Sequence, residues 1–214
     1  MKGTENPLPV CLVFATQIEA KPAMQYLQAK PVHHHASLFT GSSPRSEQKI
    51  LILLTGMGPK VAYTAIRALL ITQSISKVIN LGAAGSLQPH LQVGDLCTID
   101  CAHMEESSDE AFQDLDQIPL RPLPDFPQHR LVSVHTPVFD DKRRVRLATD
   151  ADMVDMEGAA IAWACHQHST PCQMLKGVTD FAGTDERKRL HENLSEVSQA
   201  LTTELFQRED IFVS

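Results

Sequence analysis

The sequence predicts an α/β fold in which a central twisted sheet, mostly parallel or mixed, is flanked by helices. Short apolar runs of strand length alternate with segments of helical periodicity over nearly the whole chain of 214 residues. Such alternation is typical of a sheet that helices cover. Neither an internal repeat nor a linker divides the chain, and its length suits one large domain better than two small ones. We therefore assign residues 1–214 to a single domain.

Two patterns predict the individual elements. Unbroken aliphatic runs indicate buried strands, and apolar residues three or four positions apart indicate helices. In the first helix, Pro22 is placed in the first turn, where its missing amide hydrogen is harmless. Glycine pairs mark turns after two strands, at Gly56-Met57-Gly58 and at Gly82-Ala83-Ala84-Gly85. In chain order, we predict strands at Val10–Ala15, Ala36–Thr40, Lys49–Thr55, Lys77–Leu81, Asp95–Cys101, Arg130–Val134, Met153–Met156 and Cys172–Val178, a turn at Gly41–Pro44, and helices at Ile18–Leu27, Val61–Ile71, Lys142–Ala148, Gly158–His166 and about Asp185–Gln207.

A long acidic and proline-rich segment interrupts the alternation at about residues 104–128. A loop of this length inside a compact domain is either functional or disordered. We expect it to be a solvated surface loop because it is rich in acidic residues. Its acidic residues are Glu105, Glu106, Asp109, Glu110, Asp114 and Asp116, and its prolines are Pro119, Pro122, Pro124 and Pro127.

Composition excludes several classes of protein. The formal net charge of −7 argues against a general nucleic-acid binder, and the 43% hydrophobic and 21% charged fractions argue against wholesale disorder. No apolar run approaches the roughly 20 residues of a membrane span, and the N-terminus lacks the apolar region of a secretory signal. The odd number of cysteines, without a C-x-x-C pair, indicates reduced thiols in a cytoplasmic protein. We expect neither a metal nor a cofactor, because the adjacent His33–His35 cannot direct three ligands to one ion from a strand.

Carboxylates stand where several strands end, which is where folds of this kind bind ligands. Glu19 follows the first strand, Glu157 the short strand at Met153–Met156, and Asp180 the last strand. A plainer interpretation exists for Glu19, which could simply favour the dipole of a helix start. Neither glycine pair fits a phosphate-binding loop. Lys176, within an apolar segment, needs a carboxylate partner at the same edge.

Four segments together resemble the purine-nucleoside phosphorylase and nucleosidase superfamily, most closely its 5′-methylthioadenosine/S-adenosylhomocysteine nucleosidase branch. The resemblance covers most of the chain in order, apart from about residues 102–130. The matching segments are Ala15–Glu19, Thr55–Ala62, Val78–Asp95, and Val154–Ala162 followed by Gly177-Val178-Thr179-Asp180-Phe181-Ala182.

The resemblance implies a nucleoside phosphorylase-like fold and an N-glycosidase that cleaves the bond between a purine and ribose. It assigns Asp180 as the general acid at purine N7 and Glu19 as the general base for an attacking water. Glu157 would accept hydrogen bonds from the ribose hydroxyls, with Met156 packed on the sugar. The base would be framed by Gly85, Thr179 and the Val134–Phe139 loop, which includes Val138 and Phe139.

Two features choose among the members of this family. Neither Thr16–Glu19 nor Leu81–Ser86 contains an arginine that could hold phosphate, which favours water as the nucleophile. Asp180 at the base edge suits a 6-amino purine, which offers an amino donor beside N7. The prediction is a cytoplasmic nucleosidase for an adenine nucleoside with a 5′ substituent, such as 5′-methylthioadenosine or S-adenosylhomocysteine.

Three residues depart from the pattern usual in this branch. Ala83 stands where serine is usual, Lys176 where arginine is usual, and Asp155 where glutamate is usual. Ala83 and Lys176 would lie beside the water site, where Lys176 could support Glu19. The base-stacking aromatic is missing at Pro137, and Phe139 is expected to replace it.

Three alternatives stay open at this point. They are a 6-amino-6-deoxyfutalosine or other adenosyl-adduct nucleosidase, a phosphate-dependent phosphorylase, and a catalytically weak nucleoside-binding protein. The resemblance also implies a homodimer, with a small-molecule nucleoside as partner and neither nucleic acid nor membrane.

Overall fold

The computed structural model describes residues 7–44, 48–106, 112, 117–184 and 186–212. Strands and helices alternate as predicted, and two short strands at Lys30–Pro31 and Ile118–Pro119 were not predicted. Strands lie at β1 (Val10–Phe14), β2 (Lys30–Pro31), β3 (Leu38–Ser42), β4 (Lys49–Leu54), β5 (Lys77–Ser86), β6 (Leu96–Met104), β7 (Ile118–Pro119), β8 (Gln128–Ser133), β9 (Met153–Asp155) and β10 (Cys172–Asp180). Helices lie at α1 (Gln17–Tyr26), α2 (Pro59–Thr72), α3 (Asp141–Leu147), α4 (Gly158–Gln167) and α5 (Arg187–Gln207), with a 3-10 turn at Glu209–Phe212.

The strands form one mixed sheet that closes on itself along part of its width. Strands β4, β1, β5 and β10 run parallel as neighbours, and β3 and β2 extend the β4 edge antiparallel. On the other side, β10 pairs with β6, β6 with β8, β8 with β9, and β9 returns to β5. This closed circuit brings the ends of β5, β9 and β10 close to the end of β1.

Helices cover both faces of the sheet. On one face, Ala62 and Ile66 of α2 and the alanines of α4 join Val13 and Val78 in a buried apolar cluster. On the other, Ala20 of α1 and Leu201 of α5 pack with residues of β1 and β4. Burial of this aliphatic surface is what makes the layers adhere, at roughly 25 cal/mol per Å² of apolar area. Across the described residues, no helix is both long and apolar enough to cross a membrane.

One predicted turn is part of a strand. Gly82-Ala83-Ala84-Gly85 continues β5, because Gly82 to Ala84 pair in register with Lys176 to Val178 of β10. The glycines therefore allow neighbouring groups to lie close to β5, and the chain does not reverse its direction there.

Other boundaries differ by a few residues. Gly41 and Ser42, predicted as a turn, belong to β3. Helix α1 begins at Gln17, so Pro22 is its sixth residue and lies beyond the first turn. Part of the 104–128 segment is built into the fold, since Ile118 and Leu123 are buried. Asp109, Glu110, Asp114, Asp116 and Asp185 lie outside the described residues.

Candidate active site

The predicted carboxylates meet in one cavity of about 150 Å³ beyond the ends of β1 and β10. Glu19, Asp155, Glu157 and Asp180 all line it, although they are far apart in the chain. Its remaining lining consists of Ala15, Thr16, Met57, Ala83, Ala84, Gly85, Val134, Pro137, Val138, Phe139, Val154, Met156, Thr179, Ala182, Leu190 and Leu194.

Glu19 is a buried acceptor that joins α1 to the central strand. Its Oε2 accepts hydrogen bonds from the Thr16 backbone and hydroxyl at 2.9 and 2.8 Å, which with the Thr16 cap on the Glu19 amide forms a capping box. Its Oε1 accepts the Ala83 amide at 3.1 Å. The capping box alone would explain a glutamate here. A helix cap does not require the hydrogen bond from the Ala83 amide of β5 or the position of Glu19 at the cavity wall.

Asp180 lies at the end of β10, where it is 3% exposed. The Thr179 hydroxyl donates to Oδ2 and the Ala182 amide to Oδ1, each at 2.8 Å. Burial raises the pKa of Asp180 above its ordinary value, and the nearby Glu186 raises it further, against the lowering by the two hydrogen bonds. This carboxyl is therefore suited to hold a proton and to donate it.

Glu157 stands at the start of α4 and reaches across the cavity to the start of α2. Its Oε1 accepts the Gly58 amide at 2.7 Å. Burial and then the neighbouring Asp155 raise the pKa of Glu157 to about 8. Gly58 has a φ of 102°, a left-handed value that favours glycine, so the turn at Gly56-Met57-Gly58 directs this amide toward the carboxylate.

Lys176 lies behind the cavity wall and pairs with Asp155. The Lys176 Nζ lies 2.7 Å from Asp155 Oδ2, and both side chains are 2% exposed. The predicted partner at the rim is thus present, but it is Asp155. Among the residues that the structure describes, no ion pair joins Lys176 to Glu19.

Two glycines of β5 make room for the acidic side chains. A Cβ at Gly82 would lie 3.0 Å from Glu19 Oε1, and one at Gly85 would lie 3.0 Å from Asp180 Oδ1 and 2.9 Å from the Ala182 Cβ. Only glycine lets the strand pass so near both carboxylates.

Apolar side chains close the cavity on the remaining sides. Val138 and Phe139 line it from the loop after β8, and Met156 from the loop after β9. The guanidinium of Arg187 lies 5.0 Å from the centroid of the Phe139 ring, which holds the loop against α5. Leu190 and Leu194 of α5 also line the cavity.

Nine of the ten predicted site residues line the cavity, and Lys176 supports it from behind through Asp155. The nine are Glu19, Ala83, Gly85, Val138, Phe139, Met156, Glu157, Thr179 and Asp180. Ser133, which binds Asp155 and the Ala159 amide, was not predicted. No sequence pattern marks it. The role of Thr16 could have been found from the Thr-x-x-Glu spacing of a capping box. Over the described ranges, no three His, Cys, Asp or Glu side chains are arranged to hold a metal ion.

Glu157→Gln should change the pH dependence of stability. Glu157 has a folded pKa of about 8 against an ordinary 4.5, so the folded chain retains a proton that the unfolded chain has lost. The stability that the neutral carboxyl provides is lost as pH rises toward 8. The glutamine variant lacks this loss and can still accept the Gly58 amide. Its melting temperature should therefore rise relative to the unmodified protein between about pH 5 and about pH 8.5. A constant difference over that range would contradict the raised pKa.

The sequence and the fold of this chain were compared with those of known proteins. A family model described as the phosphorylase superfamily matches residues 9–134 and 109–208. The 5′-methylthioadenosine/S-adenosylhomocysteine nucleosidase of Tolumonas auensis is 28% identical over 170 residues, which cover 68% of this chain and 74% of that protein.

Two solved structures show the same fold. The 5′-methylthioadenosine/S-adenosylhomocysteine nucleosidase of Helicobacter pylori with butyl-thio-DADMe-Immucillin-A matches with a TM-score of 0.84 at 18% identity, covering 97% of this chain and 100% of that one. Futalosine hydrolase of the same organism matches with a TM-score of 0.81 at 18% identity, covering 92% and 95%. At these identities the likeness establishes the fold alone.

Proposed function

The chain belongs to the phosphorylase superfamily, and from that premise we propose that it is an N-glycosyl hydrolase that cleaves an adenine nucleoside with a 5′ substituent. The curated relatives named as 5′-methylthioadenosine/S-adenosylhomocysteine nucleosidases point to the substrate class. The observation that carries the proposal is the pairing of two unlike carboxyl groups in one cavity. Asp180 has a raised pKa, and Glu19 accepts three hydrogen bonds.

The two carboxyl groups divide the chemistry of glycosidic cleavage. Asp180 donates a proton to N7 of the departing purine, which leaves more easily as a neutral base. Glu19 accepts a proton from water as the water attacks the anomeric carbon, and its place against the Ala83 amide keeps it oriented. Each contribution of this kind is typically worth ~10²–10⁴-fold in rate.

The other lining residues hold the sugar and the base. Glu157, beside Met156, accepts hydrogen bonds from the ribose hydroxyls through the oxygen that Gly58 leaves free. Positive charge develops on ribose as the bond breaks, and the Glu19 carboxylate at the cavity wall stabilises that charge. Phe139 and Val138 cover one face of the base, while Thr179 and Gly85 lie near the acid.

Water is the better-supported nucleophile. No arginine or lysine is among the described residues that line the cavity, and Lys176 is engaged by Asp155. A phosphate dianion in this acidic cavity would meet carboxylates without a cation to balance it. This supports hydrolysis over phosphorolysis.

The base preference is tested by a panel of nucleosides. 5′-methylthioadenosine, S-adenosylhomocysteine, 6-amino-6-deoxyfutalosine and adenosine should release adenine. Inosine should release hypoxanthine at least ~10-fold more slowly in kcat/KM than adenosine releases adenine, because its 6-oxo edge lacks the amino donor. The rate of base release from each nucleoside, measured by chromatography of the free base, shows which 5′ substituent the enzyme prefers. Equal release of hypoxanthine would overturn the adenine assignment, and binding without release of any base would favour a nucleoside-binding protein.

We propose further that the protein is a cytoplasmic homodimer. Met57, which lines the cavity, and Val61 in the first turn of α2 are 70% and 47% exposed. A second copy that covers them would bury apolar surface and shield the site. All five cysteines are free thiols, which suits a reducing compartment. Light scattering after gel filtration tests the dimer, and a monomer at micromolar concentration would contradict it.

A further inference from the structure

The Asp155 carboxylate, at the cavity wall, accepts hydrogen bonds from four different groups. Its Oδ1 accepts the Ser133 hydroxyl, the Gly158 amide at 3.1 Å and the Glu157 amide at 3.3 Å. Its Oδ2 accepts the Gly158 amide at 2.9 Å and the Lys176 ammonium at 2.7 Å. Asp155 therefore caps the N-terminus of α4 at the residue whose side chain enters the cavity, Glu157.

The approach of α4 to this carboxylate depends on glycine. A Cβ at Gly158 would lie 2.8 Å from Asp155 Oδ2 and 2.5 Å from a methyl carbon of Leu131. The backbone around Glu157 is thus pressed onto Asp155, and a displacement of Asp155 would move Glu157.

Stability alone does not explain a buried ion pair. The desolvation of two charges can exceed their attraction, and an apolar pair of similar volume is often as stable or more so. Asp155 and Lys176 are each 2% exposed, so the full desolvation cost applies. Lys176 also lies near the opposite carboxylate, since a Cβ at Gly82 would lie 3.6 Å from Lys176 Nζ and 3.0 Å from Glu19 Oε1.

We propose that Asp155 and Lys176 form a positioning pair that fixes the orientation and the charge state of Glu157. This role deepens the proposed function, on which it rests for the assignment of Glu157 to the ribose hydroxyls. Neither residue contacts the sugar in this account. They act through the backbone amides of α4 and through their opposite charges.

The charges that face Glu157 come from four elements. Burial raises the pKa of Glu157 most, and Asp155 on β9 and Glu19 on α1 raise it further. Lys176 on β10 and the Gly58 amide before α2 lower it, and the effect of Asp155 is larger than that of Lys176. Removal of Asp155 and removal of Lys176 should therefore shift the titration of Glu157 in opposite directions. A merely structural role for the pair would not produce opposite signs.

The test is a carbon-13 NMR titration of the free protein labelled at the glutamate carboxyl carbons, with Glu157→Gln used to assign the signal. Asp155→Asn should lower the midpoint of Glu157 by about one pH unit or more, and Lys176→Met should raise it. In the double variant, which combines both changes, the midpoint of Glu157 should lie between its values in Asp155→Asn and in the unmodified protein. If Lys176→Met does not fold, the double variant takes its place in the comparison. Ser133→Ala removes a hydrogen bond from the same carboxylate without a change of charge, so it should leave the midpoint within about 0.3 pH units.

A midpoint in Asp155→Asn that equals that of the unmodified protein, or lies above it, would overturn the proposal. So would a double variant that titrates below Asp155→Asn. If the unmodified protein cleaves nucleosides, the pH midpoint of KM should follow the NMR midpoint in each variant, and a KM profile that does not move would also contradict the pair's role. If it cleaves none, the proposed function fails while the titration still decides the pairing.

Discussion

Asp180→Asn is expected to lower kcat by ~10²–10⁴-fold with little effect on the melting temperature. The amide keeps the shape of the side chain, and its oxygen can still accept the Ala182 amide that Asp180 Oδ1 accepts at 2.8 Å. It has no acidic proton for the leaving purine. Release of adenine from 5′-methylthioadenosine, measured at saturating substrate, gives the loss directly. A rate within threefold of the unmodified protein would remove Asp180 from the mechanism.

Glu186→Gln is the matched control for this change. Glu186 raises the pKa of Asp180 by its charge and accepts the Phe181 amide at 3.3 Å. Its replacement leaves the acid in place and lowers the pKa of Asp180. The alkaline limb of the pH–rate profile should move to lower pH, with a much smaller loss of kcat than in Asp180→Asn.

Glu19→Gln is expected to lower kcat by ~10²-fold or more, while the dissociation constant for the nucleoside stays within a few-fold, because an amide cannot take a proton from water. The capping box complicates the change. Glu19 accepts three donors through two oxygens, and an amide nitrogen cannot accept in place of the second oxygen. The variant should therefore also lose some helix stability.

Thr16→Ala separates the two effects. It removes the hydroxyl that caps the Glu19 amide and leaves the Glu19 carboxylate in place, so it should cost about 0.5–2 kcal/mol of stability. If Glu19 is the general base, Glu19→Gln should lose far more turnover than Thr16→Ala at a similar loss of melting temperature. Equal losses of turnover would make Glu19 a structural residue.

Most of the fold was predictable because buried strands and amphipathic helices leave strong periodic patterns. The carboxylates also converged as predicted, since β1, β9 and β10 each pair with β5. The turn predicted at Gly82–Gly85 was wrong because glycine pairs mark close approach as well as chain reversal. Only the pairing with β10 distinguishes the two.

The sequence predicts that the partner of Lys176 is a carboxylate, but it does not predict which residue provides that carboxylate. Its place in an apolar segment required a carboxylate, and several stand at the same edge. Asp155 is the partner because β9 pairs with β5 and β8. This pairing places Asp155 opposite Ser133 and within 2.7 Å of the Lys176 ammonium. Such non-local pairing leaves no local sequence signal.

In the proposed reaction water, and not phosphate, displaces the purine. The most direct measurement is the identity of the sugar product from 5′-methylthioadenosine in phosphate buffer, by phosphorus-31 NMR together with chromatography of the base. We expect adenine and the free reducing sugar in equal amounts, at a rate that phosphate does not raise. A sugar 1-phosphate as the main product would contradict the hydrolase assignment.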